Sequence, residues 1–243
     1  MGERLSMADA VGAGRAFGQK LGKLLEDEIH RIVQDCLYGT DFEFIPKGRL
    51  TDLYGKPCTH DGLIVDLQGN PYAVIESKVI QKAKHATEKA AKIVREHPDL
   101  KRAHPTLRSS IAVLAGDFTP EPLRMVEASG AHVLFIPQEH LALSCRNYGI
   151  EILWEDRDAA QAAPAALRRY NALTQEERKA LGQYIVQPIS EQLRTVVKAA
   201  IADVPENPVR GVWVDIFFQR GEIGHHEFDS IEEALEYLRS WSE

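Results

Sequence analysis

Residues 60–78, HDGLIVDLQGNPYAVIESK, hold two apolar runs on either side of a turn-forming stretch, Leu67-Gln68-Gly69-Asn70-Pro71. That pattern predicts a β-hairpin whose strands are buried. Its ends nevertheless carry charge: Asp61 on the first strand, Glu76 and Lys78 on the second. Facing residues in a hairpin follow from the position of the turn, and a turn centred on Gly69 sets Asp61 opposite Glu76-Ser77-Lys78. Side chains alternate along a strand, so Glu76 and Lys78 share a face and Ser77 takes the other. Any fold for this chain must therefore bring two carboxylates and an ammonium together at the end of a buried hairpin.

The elements around the hairpin predict an α/β fold. Phe17, Leu21, Leu24, Leu25, Ile29 and Ile32 recur at helical spacing, which predicts a long amphipathic helix over 14–39. Short strands are expected at 42–45 and near 50–54. A helix is expected after Lys78, closed by Pro98 at about His97. Residues 111–136 read strand, helix, strand, a crossover long enough to imply parallel pairing. The result is a mixed β-sheet flanked by helices.

The Ala-rich, polar stretch 155–169 predicts a junction, giving a core over 1–155 and a C-terminal subdomain over 156–243. In the latter, Thr174 with Glu177 forms a capping-box pattern and a helix is expected over 189–202. A β-hairpin turning near Arg220 and Gly221 and a helix capped by Ser230 should follow.

Composition excludes several classes of function. With 243 residues and 44% hydrophobic content, the chain can bury a sizeable core. No run of about 18 apolar residues is present to span a membrane, and the N-terminus lacks a secretory signal. Three widely spaced cysteines with no C-x-x-C pair predict a reducing, cytoplasmic setting. The net charge of −7 argues against a generally basic nucleic-acid coat. Basic residues nevertheless dominate from Lys78 to Arg108, directly after the charged hairpin, which points to a polyanion contact there.

Two carboxylates in a partly dry site repel each other and call for a cation. A hard divalent ion such as Mg²⁺, with Mn²⁺ as its substitute, meets that need through one or two carboxylates plus water and phosphate oxygens. Asp61 and Glu76 are the expected ligands, with the Ser77 main-chain carbonyl as a third. Lys78 is placed to orient the attacking water and stabilise charge on a phosphate.

Asp61, fourteen intervening residues, then Glu76-Ser77-Lys78 resembles the motif of the PD-(D/E)xK nuclease superfamily. The order helix, antiparallel strands, helix, strand, helix, strand over residues 14–140 is similar to its restriction-endonuclease-like core. His60 stands where many members have Pro. The resemblance implies a Mg²⁺-dependent DNA endonuclease, most like a type II restriction enzyme, acting on double-stranded DNA as a homodimer. It also implies a metal-approaching Glu on the first helix, for which Gly22-x-x-x-Glu26 selects Glu26, with Glu28 as runner-up. Lys82, Lys84, His85 and Lys89 lie where substrate contacts are expected. A structure-specific repair or recombination nuclease and a non-catalytic DNA-binding module are the alternatives.

Other signals carry less. Gly12, Gly14 and Gly18 lack the strand and spacing of a nucleotide loop and predict an N-terminal loop. His225, His226 and Glu227 are adjacent rather than at zinc-ligand spacing. Trp213, Phe217 and Phe218 are expected to pack against helices.

Overall fold

The computed structural model describes residues 7–154, 158–202, 212–218, 223–228 and 231–241. Helix α1 (Met7–Leu37) buries Phe17, Leu21, Leu25, Ile29, Ile32 and Val33 along one stripe. It starts earlier than the periodicity predicts, and the three glycines expected in a loop lie inside it. A Cβ at Gly14 would make ordinary van der Waals contact with the Ala163 Cβ at 3.6 Å. A Cβ at Gly18 would meet nothing within 4 Å. Gly18→Ala should therefore stabilise the chain by about 0.5–1 kcal/mol through backbone entropy, read from a urea midpoint that rises at constant slope.

The central sheet has five strands: β1 (Phe42–Pro46), β4 (Gly62–Asp66), β5 (Pro71–Ile80), β6 (Ser109–Gly116) and β7 (His132–Pro137), adjacent in that order. The β1–β4–β5 part is antiparallel and β5–β6–β7 is parallel, as expected of a hairpin joined to a crossover unit. The remaining short strands, β2 (Arg49–Thr51) and β3 (Pro57–Thr59), pair with each other as a separate ribbon between β1 and β4.

Alternation sorts the sheet residues onto two faces. Ile64, Ala73, Ile75, Ile111, Val113 and Ala115 join the stripe of α1 in one core. Ala112 and Leu114 pack with α2 (Ala86–Ala103) and α3 (Pro120–Ala128) on the other face, and Leu63, Val65 and Val74 pack there with Leu100. The central strands are therefore apolar on both faces, unlike a half-solvated sheet.

Two expectations fail, each on a helix that buries residues in a core. Pro98 does not end α2; the helix runs on to Ala103, and Leu100, beyond the proline, is fully buried. The junction expected at 155–169 is also incorrect. Residues 155–157 lie outside the described residues, but α5 (Ala159–Ala172) is helical and follows α4 (Gln138–Arg146), which the periodicity did not reveal.

With α6 (Gln175–Val186) and α7 (Ser190–Ile201), α5 packs on α1, so Ala166, Tyr170, Leu181, Ile185, Leu193 and Val197 belong to the same core as Phe17 and Ile29. The first compact unit thus extends to Ile201 rather than 155. Within it the predicted capping box is formed: Thr174 Oγ1 accepts from the Glu177 N–H and Glu177 accepts from the Thr174 N–H.

The second unit, from Ala202 onward, contains a hairpin of β8 (Val212–Phe217) and β9 (Ile223–Phe228), and helix α8 (Ile231–Ser240). The predicted turn at Arg220 and Gly221 and the Ser230 cap lie outside the described residues. Trp213 and Phe217 do not pack on a helix: they are 71% and 74% exposed, on the outer face of the hairpin. The covered face is the alternate set, Val212, Val214 and Ile216. Among the described residues no helix is long and apolar enough to cross a membrane.

Candidate functional site

The hairpin turn is closed by Asp66, whose Oδ1 accepts from the N–H groups of Gln68 and Asn70 at 3.0 and 2.8 Å, with Gly69 at φ 84°. Near the charged end Gly62 faces Ile75, one residue tighter than a turn centred on Gly69 predicts, and the register shifts between Ile64 and Val65. That difference leaves the charged groups together. A Cβ at Gly62 would run into the outer edge of the Phe44 ring, so a larger residue there displaces that ring.

Asp61 Oδ2 accepts from the Ser77 N–H at 2.8 Å and from the Ser77 hydroxyl at 3.1 Å. Lys78 Nζ lies 2.5 Å from Glu76 Oε1, 3.4 Å from Asp61 Oδ2 and 2.8 Å from the Ser77 main-chain oxygen. The Asp61 carbonyl accepts from the Lys47 N–H at 3.0 Å and sits 3.1 Å from His30 Nε2. The sequence-derived trio of Asp61, Glu76 and Lys78 is thus brought into contact.

Glu26 joins the cluster from α1 through Lys47, whose Nζ lies 2.9 Å from Glu26 Oε2 and 2.7 Å from Asp61 Oδ1. Glu28 does not: it is buried and ion-paired with Arg31. Two further residues come from α2, Lys92 at 3.4 Å from Glu76 Oε1 and Glu96 at 3.6 Å from Lys92. Buried His60 places Nδ1 at 3.7 Å from Glu76 Oε2, too far for a hydrogen bond, and its ring stands edge-on to His97.

Lys47, Lys92 and His97 were not singled out from the sequence. His97 carries a usable signal, occupying the apolar stripe of Ala86, Ala90, Ile93 and Leu100. Lys47 carries none, since it lies in a loop.

Burial would raise the Glu76 carboxyl, but the His60 ring and the Lys78 and Lys92 ammoniums outweigh it and hold Glu76 well below the usual carboxylate range. Asp61 is also lowered: burial and the Glu76 charge oppose this, while Lys78, Lys47 and the Ser77 N–H prevail. Burial, with the His60 ring behind it, pushes His97 down to about 4 from 6.5.

A histidine depressed in the folded state binds fewer protons than in the unfolded chain, so its stabilisation is full above pH 6.5 and is lost as pH falls towards 4. Acidification across that window should cost about 3 kcal/mol. Urea titrations from pH 7.5 downward test this, and His97→Leu should flatten the slope in that window while leaving the carboxylate-linked loss below it.

The segment expected to contact substrate begins differently from its prediction. β5 continues to Ile80, and a 3₁₀ turn at Ala83–His85 precedes α2. Asp117 Oδ2 accepts from the Ala83 N–H at 2.8 Å and pins that turn. Lys84 and His85 are exposed, Lys82 and Lys89 half-buried, and Lys89 lies 3.6 Å from Glu88. All four follow directly on the strand that carries Glu76 and Lys78.

As the side chains stand, no three His, Cys, Asp or Glu among the described residues are gathered as metal ligands. The donor set nevertheless fits a hard divalent cation. Glu26 Oε2 and Asp61 Oδ1 converge on one cationic atom, Lys47 Nζ, and the buried Glu76 Oε2 has no hydrogen-bond partner. The Ser77 carbonyl is occupied by Lys78.

No family model matches the chain, and no curated protein does. Among solved structures it is similar to a protein of unknown function, AF1548, at 13% identity and a TM-score of 0.34 over 73% of this chain and 96% of that one. A likeness that slight carries no argument about fold or function.

Proposed function

We propose that this chain is a Mg²⁺-dependent endonuclease that hydrolyses DNA phosphodiester bonds, with a type II restriction activity as the specific form. The observation that carries the reading is the meeting of Glu26 from α1, Asp61 from just before β4, and Glu76 and Lys78 from β5 of a mixed sheet. Glu26, Asp61 and Glu76 would hold the metal. When bound, the ion supplies Lewis-acid activation of a phosphate oxygen and of a water molecule.

The protein's own groups do the rest. Lys78, held by Glu76 and the Ser77 carbonyl, donates hydrogen bonds to the attacking water and to a non-bridging phosphate oxygen. Ser77, through its N–H and hydroxyl, orients Asp61. One P–O bond forms from water, another breaks, and the water's proton is released as the leaving oxygen gains one. Lys82, Lys84 and Lys89 neutralise backbone phosphates beside the site, and His85 offers a hydrogen bond there. A palindromic target would call for a homodimer of the chain.

A second reading has an observation of its own. Lys47, Lys78 and Lys92 already pair with Glu26, Asp61, Glu76 and Glu96, as a purely structural ion-pair network would. Incubation with a long sequenced DNA and Mg²⁺ separates the readings. Discrete fragments establish a site-specific enzyme, a smear or cleavage at junctions indicates recognition by shape, and DNA left intact with both Mg²⁺ and Mn²⁺ overturns the nuclease proposal.

A further inference from the structure

Lys47 stands in the turn between β1 and β2 at φ 53°, a left-handed conformation that lysine rarely adopts. Its backbone is held there by the 3.0 Å hydrogen bond from its N–H to the Asp61 carbonyl. The consequence is at the other end of the residue. Its ammonium reaches the two oxygens, Asp61 Oδ1 and Glu26 Oε2, that join the hairpin acid to the helix acid.

The partners differ sharply in exposure. The Lys47 side chain is 52% exposed, whereas those of Asp61 and Glu26 are 13% and 17% exposed. The carboxylates are fixed and the lysine can leave. Lys78 and Lys92 cannot take its place, because both bear on Glu76 and neither contacts Glu26.

We propose that Lys47 is a resident counter-ion whose departure admits the divalent metal. Metal entry and lysine exit are a single exchange at the Glu26–Asp61 oxygens. Lys47 keeps two mutually repelling carboxylates converged before the metal arrives, and it sets the metal concentration the site requires. A cation bound between those two oxygens would occupy the point where the ammonium now sits, 2.9 Å from Glu26 Oε2 and 2.7 Å from Asp61 Oδ1. Lys47 is thus a positioning residue, acting through Glu26 and Asp61. The inference rests on the metal-dependent reading above and deepens it.

The test is a titration without DNA. Mg²⁺ and Mn²⁺ binding is measured by calorimetry on the wild type and on Lys47→Met, which keeps the stem and removes the charge. The variant should bind about tenfold more tightly, the effect of removing one charge that competes at contact distance. Wild-type protein followed by NMR of the lysine side-chain amines gives a second readout that needs no variant. The Lys47 signal should move to the position of a free, solvated ammonium with the same midpoint as metal binding.

Equal affinities in the two proteins, or a Lys47 signal unmoved while metal binds, would overturn the exchange and leave the metal site standing. No binding by either protein at millimolar metal would overturn the metal reading, and the exchange with it.

Discussion

If the proposed nuclease reading is right, Lys78→Met should abolish Mg²⁺-dependent DNA cleavage, with a fall in kcat of at least about 10³-fold, while the protein keeps its fold. The size follows from losing a preorganised cation where charge develops on the phosphate, in a partly dry site where each interaction is strong. The Lys78 ammonium is held at 2.5 Å from Glu76 and 3.4 Å from Asp61, so it is positioned before any substrate arrives. Lys92 cannot replace it, lying 3.4 Å from Glu76 without touching Asp61. Folding should survive, because Lys92 still pairs with Glu76 and the methionine stem fills the same space. Single-turnover cleavage of a fragment carrying a mapped site is the measurement, beside thermal unfolding of both proteins. A variant that cuts within tenfold of the wild type would remove Lys78 from the chemistry.

The largest effect on stability is expected from Gly116→Ala, a loss of about 4 kcal/mol. Gly116 closes β6 at φ 102°, and a Cβ there would strike the Ile80 carbonyl. That carbonyl accepts from the Asp117 N–H at 2.9 Å, and Asp117 in turn pins the turn that begins the Lys82–Lys89 segment. Neither backbone can yield without breaking the β5–β6 pairing, in which Ile80 faces Gly116. Urea unfolding of Gly116→Ala beside Gly18→Ala makes a sharp comparison, since the same change should act with opposite sign. A cost below about 1 kcal/mol at Gly116 would show that the ends of β5 and β6 can part without loss of the pairing.

How far the site is legible in the sequence depends on chain separation. Asp61 and Glu76-Ser77-Lys78 flank one turn, and the register of a hairpin is a local property, so their meeting follows from the turn residues alone. Beside the turn Val65 faces Pro71, two residues short of the predicted register, and the irregularity between Ile64 and Val65, which no turn residue announces, brings the charged end back to within one. Glu26 comes from the family resemblance, with Glu28 as runner-up; in the structure Glu26 meets Asp61 through Lys47, whereas Glu28 pairs with Arg31. Lys47 and Lys92 were not selected, because a lysine in a loop and one on a charged helix look alike until a partner is known.

Sequence by itself determined the elements whose burial is periodic: the stripe of α1, the hairpin, the parallel unit of β6 and β7, and the capped helix at Thr174. Each records in its own spacing which side faces the core. Only the tertiary structure decided that α2 runs through Pro98, that the glycines of 12–18 lie within α1, and that α5 to α7 complete the first core rather than form an appendage. These outcomes turn on apolar area buried between elements far apart in the chain. Such burial outweighs local preferences of about 1 kcal/mol for glycine and about 3 kcal/mol for proline, and the spacing of an element does not name the distant element that covers it.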